Sequence, residues 1–422
     1  MSEKFYSEHV RIGLDDTDHP EVGCTTERLD DLLRTISEQL ETLAVERKLV
    51  RLWPFAERRT RGNGALGATI TIREGKFGSL VKICKKWFSQ LESRIAEYPK
   101  STIDPSPCMV ISSTNAPKEW YWEAVRNHVD ADQRFEEVIG FGCEVLYSKS
   151  KWGVVGASAA VSWFPETPAS WELIAWRVPK LIGTPRDVSD LAVAELETHH
   201  PQTFVNRDPT KDRGLIAPRT PCPVLYGIRG SQEDVVLLAH EWLQSRDDVE
   251  RCCNFATHQT NQLSDDHIVE PLSGTLVVDP VETRGGHSHA TVFSGNRHFK
   301  LVAFSEGGPV NRLLRELQSG DAISWTGLES PDGSIHLEKL RLDRPTPRLI
   351  SRPVCCARTM RSAGRGQGLR CIDCGKTEPK YWMSRSQVGS GALVSCTWVE
   401  PTPSNRRHLA RPISHLAAGE LT

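Results

Sequence analysis

The stretch "IGLDDTDHPEVGCTT" closes the chain's first apolar run with three aspartates in four residues, Asp15, Asp16 and Asp18, and then turns through Gly-Cys-Thr-Thr. Like charges at this spacing repel, so a fold that keeps them needs something to offset the repulsion. A divalent cation does so best, since hard ions such as Mg²⁺ take carboxylate oxygens and usually arrive carrying phosphate. The competing reading is a solvated acidic turn, because Asp and Thr are ordinary turn and helix-cap residues. The neighbours narrow the fold. Residues 9–16 read as a strand ending in the acidic turn. Residues 25–44 place Leu29, Leu32, Leu33, Ile36, Leu40 and Leu43 at helical spacing, with Thr25 or Thr26 as the cap. "LVRLWPFAERRTRGNGALGATITI" follows as a strand, a basic turn and another strand. Strand, helix, strand is an α/β pattern, with the acidic turn at the carboxyl end of the first strand. Open α/β sheets hold ligands there, next to a helix N-terminus suited to anions.

Further along, "CMVISST" (108–114) reads as a strand, "KEWYWEAVRNHV" (118–129) as a helix and "KWGVVGASAAVSWF" (151–164) as a helix of small apolar residues. "SWELIAWRV" (170–178) is a strand and "SQEDVVLLAHEWLQ" a helix, while "ATHQTNQLSDDHI" has no clean period. After about Leu272 the pattern changes to short alternating strands with Gly turns and one helix, "NRLLRELQSG". Five or so strands and an inserted helix fit a small barrel of the oligonucleotide-binding type. Phe293, Phe299, Phe304 and Trp325 fall on its strands. With 422 residues the chain has room for three or four domains. It has no apolar run long enough to span a membrane and no secretory signal at its start, so the expectation is a cytoplasmic protein with reduced cysteines and no membrane partner.

Between Arg341 and Cys374 eight arginines face two aspartates. Arginine at this density after a candidate barrel fits phosphate contacts or stacking on unpaired bases, with Arg358, Arg361, Arg365 and Arg370 the expected contacts. A solvated basic face is the alternative. Cys371 and Cys374 form a CxxC, half of a zinc ribbon. Cys355 and Cys356 are adjacent rather than spaced, and neighbouring cysteines do not easily both reach one tetrahedral ion. Two readings stay open: a zinc site of Cys356, Cys371, Cys374 and a fourth ligand, or a module without metal.

Eight stretches in order, "GLDDTDHPEVGCTT", "RLWPFAERRTRGNGA", "ASWELIAWR", "PQTFVNRD", "PVLYGIRG", "THQTNQLSDDHI", "ETRGGHSHATVF" and "MRSAGRGQGLRCIDCG", resemble the archaeal tRNA 2-agmatinylcytidine synthetases. These enzymes attach agmatine to the wobble cytidine of the isoleucine tRNA with a CAU anticodon. The resemblance implies a multidomain α/β and α+β chain: a kinase-like α/β threonine–cytidine kinase domain (1–145), a ferredoxin-like domain (146–268), an OB-fold β-barrel (269–345) and a zinc-ribbon-like module (346–378). Residues 379–422 are an unassigned tail. It implies ATP as cofactor, with release of AMP and phosphate, and the tRNA anticodon loop and agmatine as partners. No protein partner is inferred.

On this resemblance Asp15, Asp16 and Asp18 hold Mg²⁺ on the triphosphate, and Thr25 carries a phosphoryl group transiently while Thr26 is structural. Arg61, Gly62 and Asn63 in "TRGNGA" set a cation and backbone amides against phosphate oxygens; a tight turn is the alternative there. Agmatine needs carboxylates and a wall for its methylenes. Glu172 with Trp171 or Trp176, and Asp208, are the expected contacts; Asp265 and Asp266 are substitutes, and an ion pair of Glu172 with Arg177 competes. Three positions depart from the family: lysines and Trp152 replace a Gly-Arg-Gly segment, His19 replaces a serine, and the first CxxC is broken. The rival functions are a non-catalytic RNA-binding protein and an ATP-dependent enzyme acting on a small metabolite.

Overall fold

The computed structural model describes residues 7–19, 22–59, 62–101, 104–165, 169–347, 349–381, 383–385 and 396–416. The chain divides into two compact units, Met1–Val269 with Arg406–Glu420, and Glu270–Asn405 with the last two residues.

The first unit is organised by an eight-stranded sheet. Its elements are β1 (Ser7–Asp15), α1 (Thr25–Gln39), β2 (Thr42–Arg51), β3 (Gly64–Arg73), α2 (Phe77–Ala96), β4 (Cys108–Ser112), α3 (Glu119–Arg126), α4 (Ala131–Gly140), β5 (Glu144–Tyr147), α5 (Val154–Ser162), β6 (Ser170–Arg177), α6 (Asp190–His199), β7 (Arg207–Asp208), β8 (Arg213–Gly214), β9 (Val224–Gly230), α7 (Glu233–Gln244) and β10 (Cys252–Thr260). The strand order is β5-β4-β1-β3-β2-β10-β6-β9. β3 lies between β1 and β2 and runs antiparallel to both, so the first crossover spans a strand rather than joining neighbours. A short parallel pairing of Gln259 and Thr260 with Lys48 and Leu49 carries the sheet on to β10. Residues expected to form two domains thus share one sheet.

Alternation along β1 decides which helix covers which face. Val10, Ile12 and Leu14 are fully buried in one core with Leu29, Leu32 and Ile36 of α1 and Leu80, Trp87 and Leu91 of α2. Gly13 and Asp15 point to the other face, where α5 lies. That approach is close enough to need glycine: a Cβ on Gly13 would stand 1.9 Å from the Ala157 carbonyl oxygen. The all-round small, apolar sequence of α5 suits a helix buried from end to end.

Three differences from the sequence reading have local causes. The helix expected to reach residue 44 stops at Gln39, because β2 begins at Thr42 and pairs with β3; Leu43 is exposed on it. The stretch without a period, 256–268, begins inside a strand, Cys252–Thr260, whose buried alternation runs through Ala256, His258 and Thr260, where two polar residues hide it. The helix α2 has no counterpart in the expected elements.

The second unit holds β11 (Leu272–Leu276), β12 (Val281–Glu282), β13 (Ser288–Ser294), β14 (Arg297–Ala303), α8 (Pro309–Glu316), β15 (Ala322–Glu329) and β16 (Ser334–Arg344). The order β11-β15-β16-β14-β13, with β13 pairing back to β11, closes a five-stranded barrel. Closure leaves no long open edge. Leu313 and Leu314 of α8 join Val292, Leu301, Ile323 and Leu340 in its core. Trp325 and Phe299 are core residues, whereas Phe293 and Phe304 are exposed.

Candidate active site

The acidic turn is built by the end of β1, the start of α1 and the start of α5. Asp15 is the last strand residue, and Asp16 takes a left-handed backbone, φ 55°, that turns the chain away from the sheet. Such a conformation is unusual without glycine and points to a site that over-determines it. The Asp16 amide donates to Asp15 Oδ1 at 2.7 Å. Burial, then the neighbouring Asp16 charge, pushes the Asp15 carboxyl well above its usual range. Burial likewise raises Asp16 to about 7, although Arg58 opposes it, donating to Asp16 Oδ2 at 3.3 Å. Two carboxyls held this way favour protons or a cation over open charge.

Asp18 does something different. Its Oδ1 accepts both the Thr25 amide at 2.5 Å and the Thr25 hydroxyl at 2.8 Å, while the Thr17 hydroxyl donates to Thr25 Oγ1 at 3.1 Å. Thr25 opens α1, so one carboxylate oxygen holds both the first amide of the helix and the neighbouring hydroxyl, an arrangement in which the carboxylate could take the hydroxyl's proton. The three aspartates are therefore not gathered in advance as one ligand set. Among the described residues their oxygens do not all come within 4.8 Å of one another, and Asp18 is committed to Thr25. Asp15 and Asp16 remain as the pair suited to Mg²⁺, which commonly takes one or two carboxylates plus phosphates and water.

Two cavities meet at this turn. The first is lined by Asp15, Asp16, Arg58, Arg59, Trp53 and His128, among others. The second, of about 380 Å³, contains Arg51, Glu172, Arg219, Arg229 and His408. Asp18, Thr25, Asn63 and Gly64 line both. A hydroxyl on the shared wall can receive a group from one side and release it to the other.

Gly156 lets α5 reach the first cavity: a Cβ there would meet Asp15 Oδ2 at 2.0 Å. Gly156→Ala is expected to displace that carboxylate and lower turnover by roughly 10²-fold, the cost of about 1 Å of misplacement. Steady-state assay beside a thermal melt checks this; unchanged turnover would contradict it.

The other expected residues are distributed unevenly. Gly62 lines only the second cavity, where Arg51 and His408 occupy the space beside it. Asn63, at φ 44°, uses its side-chain amide to hold the Trp53 carbonyl at 2.6 Å. Arg61 lies outside the described residues. Glu172 is buried between Arg51 and Arg229, 3.4 and 3.3 Å away, and accepts from Gln262; the expected partner Arg177 instead pairs with Glu250 at 2.6 Å. Trp176 donates to the Thr26 hydroxyl at 3.0 Å, and neither it nor Trp171 lines the second cavity. Asp208 Oδ1 accepts the amide and hydroxyl of Thr210 in the turn after β7, and the second cavity's lining includes Glu172 but not Asp208. Asp265 accepts the Arg411 amide, and Asp266 accepts the Tyr121 hydroxyl.

Sequence reasoning passed over Arg58, Arg59 and Trp53. The run "ERRTRG" signalled the arginines, but only Arg61 was singled out. The Trp53 indole N–H is buried without a partner among the described residues, beside the first cavity. His19, the family's serine position, is buried and bonds the Pro99 carbonyl oxygen.

In the second unit the cysteine expectation is also corrected. Val354–Cys355 and Arg358–Thr359 form a hairpin whose two-residue turn is Cys356–Ala357, both left-handed at φ 48° and 60°. That turn type ordinarily takes Asn-Gly. Here it swings Cys356 round to the side of Cys355, so adjacent cysteines do converge. All four Sγ atoms lie within 4.8 Å of one another, with Cys355 4.0 Å from Cys356 and 3.5 Å from Cys374. Zinc–sulfur bonds of about 2.3 Å give a tetrahedral edge of about 3.8 Å, so the four thiols fit the ion. Arg358, Arg361, Arg365 and Arg370 are all exposed around this module, Arg358 pairing with Asp373 at 3.6 Å.

Among the described residues no helix is long and apolar enough to cross a membrane. Family models described as the TiaS TCKD domain, the TiaS FLD domain and the TiaS C-terminal zinc ribbon domain match residues 11–149, 151–267 and 352–386. The isoleucine-tRNA 2-agmatinylcytidine synthetase TiaS of Methanopyrus kandleri is 30% identical over 437 residues, 95% of this chain and 96% of the relative. The solved complex of TiaS with isoleucine tRNA and ATP is similar at TM-score 0.82 and 27% identity, covering 98% of this chain and 99% of that one. The complex with isoleucine tRNA, AMPCPP and agmatine matches at TM-score 0.80 and 25% identity, covering 98% of each. The chain belongs to the isoleucine-tRNA 2-agmatinylcytidine synthetase family.

Proposed function

We propose that this chain is an ATP-dependent ligase that attaches agmatine to C2 of the wobble cytidine of the isoleucine tRNA with a CAU anticodon. The observation that carries the reading is Thr25, bonded to Asp18 on a wall shared by two cavities, in a chain of this family. A C2 carbonyl oxygen is a poor leaving group until it is phosphorylated, and phosphoryl transfer asks the protein chiefly for positioning and for cancelling phosphate charge. ATP sits in the first cavity, with Arg58 and Arg59 on its phosphates and Trp53 as a donor. Asp15 and Asp16 hold Mg²⁺, which when bound neutralises phosphate charge. Asp18 takes the Thr25 proton as the hydroxyl accepts phosphorus. The cytosine enters the second cavity, out of the anticodon stack, where the exposed Arg219 faces the phosphates that flank the nucleotide.

On this reading the first unit holds the kinase-like and ferredoxin-like parts and the second an OB-fold and a zinc ribbon, support for which comes from the matching family models and the closed five-stranded barrel. The arginines around the ribbon contact RNA phosphate, and the enzyme works in the cytoplasm. The test is incubation with Mg-ATP, labelled agmatine and unmodified transcript. Label is expected in the wobble nucleotide, and AMP only when tRNA and agmatine are both present; AMP release that ignores tRNA would overturn the reading. The four cysteines are expected to hold one zinc per chain. Cys355→Ser lowers that content, read by elemental analysis, whereas an unchanged content would return Cys355 to the non-ligands.

A further inference from the structure

Residues 406–416 return to the first unit and pair with the segment after β10, the Leu263 amide donating to the His408 carbonyl oxygen and the Asp265 amide to that of Leu409, both at 2.9 Å. This sets the His408 side chain on the wall of the second cavity, with the residue itself still exposed. Its Nδ1 lies 3.2 Å from Gln262 Oε1. The Gln262 amide cannot be turned round: its Nε2 donates to the Glu172 carboxylate and its Oε1 accepts Arg229 Nε at 3.0 Å. An oxygen therefore faces Nδ1, which must carry the proton, and Nε2 is left with a lone pair. Among the described residues Nε2 has no hydrogen-bond partner. It stands 3.1 Å from the place a Cβ would take on Gly62, so the glycine keeps the ring's edge open.

The cavity's other polar groups are already committed. Arg51, Arg219 and Arg229 are cations with no lone pair to offer. Glu172 is enclosed by Arg51, Arg229 and Gln262, and Asp18 holds Thr25. The Cys24 thiol meets the Thr26 hydroxyl, and Cys222 accepts from Arg186. Resting on the function proposed above, the reaction ends with a primary amine bonding to C2. Once bonded to carbon, that nitrogen is positively charged and must shed a proton.

We propose that His408 Nε2 takes this proton and is the base of the amine step. The C–N bond forms from the amine lone pair, the N–H proton passes to Nε2, and the C2–O bond breaks with its electron pair leaving on phosphate. The protein packed round the ring's inner edge, with the Arg51 and Arg229 charges close by, holds the imidazolium below its ordinary pKa, which favours the neutral ring. A weak base suffices, because bonding to carbon makes the amine nitrogen strongly acidic.

His408→Ala is assayed in the full chain with Mg-ATP, transcript and agmatine. The expected result is a kcat for agmatine incorporation lower by roughly 10²–10³-fold, a KM for agmatine within a few-fold, and phosphate on Thr25 formed as in the wild type. Added imidazole restores incorporation, which a packing role would not allow. A kcat within about threefold, or a loss that imidazole leaves untouched while Thr25 is still phosphorylated, overturns the proposal. Should the alanine variant lose Thr25 phosphorylation too, His408→Gln decides: the proposal stands if incorporation falls with Thr25 phosphorylation retained, and fails if incorporation persists. If the wild type itself puts no agmatine into RNA, the function reading fails and this step with it.

Discussion

Thr25→Ala is expected to abolish agmatine incorporation, lowering it by about 10³-fold or more, while leaving the fold and the affinity for tRNA close to those of the wild type. Loss of a covalent nucleophile removes the route rather than slowing it. The change is structurally mild. Thr25 is the first residue of α1, its amide bond to Asp18 survives in alanine, and the neighbouring Thr26 keeps its bonds to Trp176 and Cys24. Thr25→Ser keeps a hydroxyl at the same place and is expected to retain a measurable fraction of the rate. Rates for both variants, with tRNA binding measured alongside, check this. Full activity in the alanine variant would remove Thr25 from the chemistry.

Asp15→Asn is expected to act in opposite directions on activity and stability. The side-chain oxygen that accepts the Asp16 amide is retained, but the charge is gone. Losing a cation ligand from phosphoryl transfer costs several kcal/mol, about 10³-fold in rate. Without nucleotide and cation, however, the carboxyl is a burden. Burial and the Asp16 charge raise its pKa in the folded state, so the folded chain holds a proton that the unfolded chain, titrating near 3.9, has released. Stability from such a group is present at low pH and is lost as pH rises through the folded pKa, a window that for Asp16 runs from about 4 to about 7. Asp15→Asn should therefore melt higher than the wild type at pH 8, by on the order of 1 kcal/mol, and the advantage should close as the pH falls towards 4. Mg-ATP should raise the wild-type melting temperature and leave the variant's nearly unmoved. A variant that melts lower at pH 8 would mean that the carboxylate is paired rather than crowded.

Much of this site was legible in the sequence, for a physical reason. Charges crowded at a strand end and a threonine at a helix start are local features, and local features survive in linear order. Asp15, Asp16 and Thr25 could be placed that way. What could not be read was the division of labour. Whether Asp18 turns to a metal or to Thr25 depends on the course of the chain across residues 16–25, including the left-handed Asp16. Glu172 carried the right charge for a guanidinium, but its arginine partners come from β2 and β9, remote in sequence. The adjacent cysteines failed the expected spacing because a strained hairpin turn does the work usually done by two intervening residues. His408 lies in a tail with no motif of its own, and only the chain's return to the first unit gives it a place.

The claim beneath all of this is that phosphorus rests on one hydroxyl between the two cavities. The direct measurement is mass spectrometry of the wild-type chain and of Asp18→Asn after exposure to Mg-ATP, with the proteolysed peptides mapped. The account predicts a single phosphate on Thr25 of the wild type, strongly reduced in Asp18→Asn. A wild-type enzyme that modifies tRNA while the Thr25 peptide never carries phosphate would contradict it.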